Sequence, residues 1–140
     1  MSTLYRELAT IAQRAKVRAH APYSKFRVGA AILTKNGEVF TGCNIENSSY
    51  SLTICAERTA IFKAISEGKG KEGFKAIAIA SDDPGHTPPC GACRQVLIDL
   101  AGNIDVILVN PKMKLKTMKL KFLVPMAFTD KNLKRTRRKK

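Results

Sequence analysis

Apolar residues recur at helical spacing from the start of the chain. Leu4, Leu8, Ile11, Ala12 and Ala15 share one face of a 3.6-residue period, which predicts an amphipathic helix from Thr3 to about His20, ended by Ala21-Pro22-Tyr23-Ser24. Val28 to Thr34 is a nearly unbroken apolar run and predicts a strand. Within Lys35–Glu38, the pair Asn36-Gly37 accepts the left-handed backbone of a tight hairpin, so Val39 to Ile45 returns as a second strand. The polar stretch Asn47 to Thr53 reads as a loop. Cys55 to Glu67 is helical again, with Ala60, Ile61, Ala64 and Ile65 on one face and Gly68 as the stop. Lys75 to Ser81 is short and almost wholly apolar, the pattern of a strand buried on both faces. Asp82 to His86 is a loop, a helix follows Pro89 and ends near Gly102, and Asp105 to Asn110 is another strand. Lys112 to Lys121 alternates lysine with Met and Leu and predicts a last strand plus a short helical turn.

The resulting order, α-β-β-α-β-α-β and a weaker last element, places an antiparallel hairpin before β-α-β units. That combination predicts an α/β fold with a mixed sheet and helices packed on it. The chain shows no internal repeat and no linker that would divide it. Its 140 residues and 44% hydrophobic content suit one domain with a real core. No apolar run is long enough to cross a membrane, and Met1 to Glu7 lacks the pattern of a signal peptide, so the expected compartment is the cytoplasm. In that setting four cysteines point to metal or chemistry before disulfides.

The net charge of +14 changes the picture, because it normally points to nucleic acid or an anionic surface. Much of it lies in Lys131 to Lys140. Such a run reads first as a solvated tail, disordered at its end, and only second as a nucleic-acid or membrane contact. The expected division is therefore a catalytic domain over 1–130 and a basic tail over 131–140.

The candidate chemistry lies in Cys55-Ala56-Glu57-Arg58 and Pro89-Cys90-Gly91-Ala92-Cys93. A catalytic zinc takes three protein ligands and keeps its fourth position open for water. Cys55, Cys90 and Cys93 supply three thiols, and Glu57 supplies a carboxylate for proton transfer. The pattern C-x-E … P-C-x-x-C is the all-cysteine form of the zinc deaminase signature. The predicted helix starts place the thiols at positive helix ends, which favours thiolates. The competing reading is a closed structural zinc with four ligands. Cys43, His20 and His86 are the candidates for the fourth, and Glu57 then has no purpose. Cys43 reads instead as a small buried residue beside Gly42, and the two histidines as ordinary surface or loop residues.

Four blocks carry a resemblance: Phe26 to Ala31, Gly42 to Tyr50, Thr53 to Ala60, and Pro89 to Leu97. In that order they resemble the small homotetrameric, three-cysteine, zinc-dependent cytidine deaminases of pyrimidine salvage, from the first helix to about Leu133. The resemblance implies a three-layer α/β/α sandwich, one Zn²⁺ per chain, and conversion of cytidine and deoxycytidine to uridine and deoxyuridine with release of ammonia. It implies that Glu57 shuttles protons and that Arg58 donates hydrogen bonds to the ligand sulfurs. It places Asn44 and Glu46 on the ribose 3′-hydroxyl, Phe26 on the base, and the Ala56 backbone at the base carbonyl. Asn44 and Glu46 are two apart, so on an extended segment they share a face. From spacing alone, they serve equally well as a turn that satisfies its own polar groups. Tyr50 and Phe128 match positions that reach a neighbouring subunit's pocket, whereas in a lone chain both read as ordinary core residues. Within the same fold the alternatives are another aminopyrimidine of the blasticidin type and polynucleotide cytosine. Outside it stands a nucleic-acid-binding module with structural zinc. The lysine-rich Lys112 to Lys121 and the basic tail depart from the family pattern.

Overall fold

Alternation along the strands decides the architecture. The structure, a computed structural model, describes residues 3–138. It contains α1 (Thr3–Lys16), β1 (Val28–Thr34), β2 (Val39–Cys43), a single 3₁₀ turn (Tyr50–Leu52), α2 (Ala56–Ser66), β3 (Phe74–Ser81), α3 (Gly91–Leu100), β4 (Asp105–Val109), β5 (Leu115–Lys119), α4 (Leu120–Leu123) and α5 (Asp130–Arg138). The strands form one sheet in the order β2-β1-β3-β4-β5. Only β3 and β4 run parallel; the other neighbours are antiparallel.

Successive residues of a strand point to opposite faces. Ala30, Ile32, Ile77, Ile79, Val106 and Leu108 therefore pack with Ala60, Ile61, Ala64 and Leu97 of α2 and α3. The alternate set, Ala31, Leu33, Ala76, Ala78, Ala80, Ile107 and Val109, packs with Leu8, Ala9 and Ala12 of α1. These are the two interfaces of a three-layer α/β/α sandwich. Full burial of each large side chain, such as Ile61 or Ile77, stabilises it by about 2–3 kcal/mol relative to exposure. The α1 face is lined by alanines, and the helix comes so close that a Cβ on Gly29 would lie 2.2 Å from the Ala12 carbonyl oxygen.

Three boundaries differ from the sequence reading. The first helix ends at Lys16, not near His20, because the His20 backbone is needed elsewhere: its N–H donates to the Asn44 carbonyl at 2.9 Å and its carbonyl accepts from Glu46 at 2.8 Å. The second strand ends at Cys43 rather than Ile45, since Ile45 turns to pair with Ile54 and His20. The basic tail is helical through Arg138. Asp130 suits the positive end of α5 and pairs with Lys134 one turn on at 2.9 Å, and Asn132 Oδ1 accepts from the Thr129 N–H at 2.9 Å. The disorder expected at the end of the tail falls on residues beyond Arg138, outside those described.

The low-complexity segment forms the expected strand and helical turn, β5 and α4. As an edge strand β5 presents unpaired backbone groups, and its exposed Lys116 and Lys119 deter pairing with another chain. Lys119 also pairs with Asp105 at 2.8 Å, and Tyr5 donates to the same carboxylate at 2.5 Å, tying α1 to the sheet edge. Among the described residues, no helix is long and apolar enough to cross a membrane.

Candidate active site

Two helix N-termini meet over one end of the sheet. Cys55 is the N-cap of α2 and Cys90 the N-cap of α3, with Cys93 in the first turn of α3. The Cys55 and Cys90 sulfurs lie 3.6 Å apart, and all three sulfurs lie within 4.8 Å of one another. Two thiolates bound tetrahedrally to one zinc at about 2.3 Å stand about 3.8 Å apart, so the Cys55–Cys90 spacing suits one ion. No fourth Cys, His, Asp or Glu joins it among the described residues. Of the three side chains considered for that place, Cys43 donates to the Arg18 carbonyl at 3.4 Å and His86 Nε2 bonds the Lys114 carbonyl at 3.0 Å. His20 is held through its backbone against residues 44–46. Cys43 is partly rather than fully buried.

Arg58 Nη2 donates to Cys55 Sγ at 3.3 Å. Cys55 is held down at about 5, first by the hydrogen bond from Cys93 and then by Arg58. Donating that bond pushes Cys93 up, with burial adding to it. Glu57, in the first turn of α2, is 4% exposed, and loss of solvent raises its carboxyl to about 7. Its side chain lines the cavity that Cys55 and Cys90 share.

That cavity has a volume of about 270 Å³. Phe26, Val28, Asn44, Glu46, Ala56, Thr87 and Pro88 are among the residues that line it. Phe26 is 38% exposed, too open for the core phenylalanine that its place at a strand start would allow. Asn44 and Glu46 do share a face, and both also serve the backbone. Asn44 Oδ1 accepts from the Val28 N–H at 2.9 Å and its Nδ2 donates to the Phe26 carbonyl at 2.8 Å. Glu46 accepts from the Tyr23 and Ser24 N–H groups at 3.0 and 3.1 Å and from the Ser24 hydroxyl. The Ser24 hydroxyl bond is the main cause that lowers the Glu46 carboxyl, so it is an ionised acceptor at neutral pH. Ala56 opens α2, and a first-turn N–H has no partner within its helix.

Tyr50 and Phe128 are 72% and 58% exposed and line no part of this cavity. The expectation that a lone chain would bury them as core residues is therefore wrong. Short segments hold them at the surface: a one-turn 3₁₀ helix for Tyr50, and for Phe128 a loop whose carbonyl accepts from Gln95 Nε2 at 2.8 Å.

Residues 2–109 match the family described as the cytidine and deoxycytidylate deaminase zinc-binding region. The chain belongs to this family. It is 46% identical over 128 residues to the cytidine deaminase of Sporosarcina psychrophila, which spans 91% of this chain and 93% of that protein. It is 48% identical over 123 residues to a probable cytidine deaminase of Dictyostelium discoideum, spanning 87% and 82%. The crystal structure of the cytidine deaminase from Burkholderia pseudomallei superposes with a TM-score of 0.85 at 44% identity, covering 91% of this chain and all of that one. The matching family is described by its zinc-binding region, and the three convergent thiols are a cluster that could hold such an ion.

The motif reading missed residues that complete this deaminase site. Thr53, Ile54, Thr87 and Pro88 line the cavity, and Lys16, Arg27 and Asp82 form an ion-pair cluster behind it. The one signal for the cluster was an acidic residue directly after the almost wholly apolar strand Lys75 to Ser81. Arg58→Ala removes the donor that draws charge off Cys55. It is expected to lower turnover by about 10–100-fold with zinc near one per chain, as metal analysis beside kinetics would show. Full zinc with unchanged turnover would remove that role.

Proposed function

We propose that the protein deaminates free cytidine and deoxycytidine hydrolytically, giving uridine, deoxyuridine and ammonia. The observation that carries this reading is a cluster of three thiols, two of which line one small cavity together with a buried carboxylate. Cys55, Cys90 and Cys93 would hold the zinc, which when bound supplies the Lewis acidity that activates water at neutral pH. Glu57 takes the proton of the attacking water and delivers it to the ring N3, then carries a proton to the leaving amino nitrogen. The C4–O bond forms first; the added hydroxyl then gives up the proton that reaches the amino nitrogen, and the C4–N bond breaks as the C4 carbonyl forms and ammonia leaves. A carboxyl raised toward neutrality by burial suits both directions of transfer.

Phe26 offers an aromatic face to the pyrimidine, and the Ala56 N–H a donor to the base carbonyl. Asn44 and the ionised Glu46 grip the ribose 3′-hydroxyl as donor and acceptor. A carboxylate at that point repels a phosphate, which favours nucleosides over nucleotides and polynucleotides. A nucleic-acid module with structural zinc is disfavoured, since the described residues offer no fourth ligand.

The exposed Tyr50 and Phe128, with Phe122 at 78% and Met126 fully exposed, support assembly with copies of the chain that cover these side chains. We read the assembly as a homotetramer with shared sites, working in cytoplasmic pyrimidine salvage. The test is ammonia release by the zinc-loaded protein from cytidine, deoxycytidine, cytidine monophosphate and single-stranded polynucleotide. Turnover confined to the two nucleosides is expected. Equal turnover of the monophosphate would overturn the role given to Glu46, and no turnover of either nucleoside would overturn the substrate class.

A further inference from the structure

One turn at the end of the central strand holds the segment beside Phe26 and also Thr87, and Phe26 and Thr87 both line the cavity. The Asp82 carboxylate accepts from Arg27 Nε at 3.0 Å, from Arg27 Nη2 at 3.1 Å and from the Arg27 backbone N–H at 3.0 Å. The Asp82 N–H donates in return to the Arg27 carbonyl at 3.2 Å. Asn44 takes the alternate groups, the Phe26 carbonyl and the Val28 N–H. The short segment that carries Phe26 lies outside any strand, yet it is clamped along both edges by side chains.

Lys16 completes the clamp. It is 7% exposed, its Nζ lies 3.1 Å from Asp82, and it donates to the Ser81 carbonyl at 3.3 Å. Arg27 first and Lys16 after it hold the Asp82 carboxyl at about 2, so it stays ionised across the neutral range. The neighbours of Asp82 hold Thr87, which also lines the cavity. Ser81 Oγ and Thr87 Oγ1 lie 2.6 Å apart, Thr87 donates to Asp83 at 3.3 Å, and Thr87 leads through Pro88 and Pro89 to Cys90.

We infer that Asp82 is a positioning residue for the deamination reaction: by clamping both the backbone and the guanidinium of Arg27, it sets the place of the adjoining Phe26 ring and so the affinity for the pyrimidine. The inference rests on the reading of Phe26 as the residue that packs on the base. Asp82 touches no substrate atom in it, and its effect passes through one wall. Loosening that wall costs binding, whereas Glu57 and the thiols on α2 and α3 keep their places.

The test is a double-mutant cycle on the zinc-loaded protein with cytidine, using Asp82→Asn, Phe26→Ala and the pair. Asp82→Asn is expected to raise KM about tenfold with kcat within about threefold and zinc at one per chain. In the Phe26→Ala background the same change should alter kcat/KM by less than about twofold. An unchanged KM, or an effect of equal size in both backgrounds, overturns the inference, as does a lowered melting temperature without a KM change. If Phe26→Ala itself leaves KM unchanged, the base-packing reading has failed first. Asp82→Asn leaves the buried Lys16 charge without its carboxylate, so the cycle is repeated with Lys16→Met added to remove that charge, and the same outcomes decide it.

Discussion

Glu57→Gln is expected to lower kcat for cytidine by about 10³-fold or more, with the fold and one zinc per chain retained. Glutamine keeps the size of the side chain and its place in the first turn of α2, but it cannot take up or deliver a proton. In the proposed reaction the residue acts twice, moving one proton from water to the ring and a second to the leaving nitrogen, so the loss exceeds that of a group acting once. It is not part of the thiol cluster, which is why metal content should not move. Burial makes the case sharper. A carboxyl that is 4% exposed has little water to stand in for it, so bulk solvent rescues little of the rate. Ammonia release, metal analysis and a thermal melt on the same preparation check all three parts. A zinc-loaded variant within about tenfold of the parent would end the assignment of Glu57 as acid and base.

Gly42→Ala is expected to cost about 3 kcal/mol of stability and to lower zinc content and turnover together. Gly42 lies in β2 directly under the start of α2, where an added Cβ would lie 2.3 Å from the Ala56 carbonyl oxygen and 2.5 Å from the Ala60 N. Both are backbone atoms and neither can swing away. The helix must shift by most of an ångström, and the atoms it carries are Cys55 and Glu57. A misplacement of about 1 Å at a catalytic group is worth about 10²-fold in rate. Gly85→Ala is the control, because its Cβ would meet nothing nearer than 3.5 Å. Equal melting temperatures and equal zinc for Gly42→Ala and the parent would show that α2 is not seated on this glycine.

The elements were legible because each is written in neighbouring residues. The spacing of Leu8 and Ala12 predicted α1, Asn36-Gly37 predicted the hairpin, and the stretch after Pro89 predicted α3. Boundaries failed where a distant partner intervened, as at His20, whose backbone is claimed by Asn44 and Glu46. Tyr50 and Phe128 failed for a related reason. Their aromatic character reads as core, but whether a neighbouring element covers them is a property of the packed chain. Asn44 and Glu46 combine what the sequence had left open, since each lines the cavity and each also satisfies nearby backbone.

The sequence by itself determined the order of elements, the mixed α/β class, the ligand and acid residue types and their motif spacing. All of these follow from short-range periodicity, turn chemistry and the donor atoms that zinc requires. Only the tertiary structure decided that Cys55 meets Cys90 at 3.6 Å, that Gly42 lets α2 approach the sheet, and that Arg27 beside Phe26 pairs with Asp82. Those pairings span tens of residues, and they exist because β1 and β3 are neighbours in the sheet while α2 and α3 start over the same end of it. Strand order and layer packing are set by the whole core at once, and no local stretch of the chain contains them.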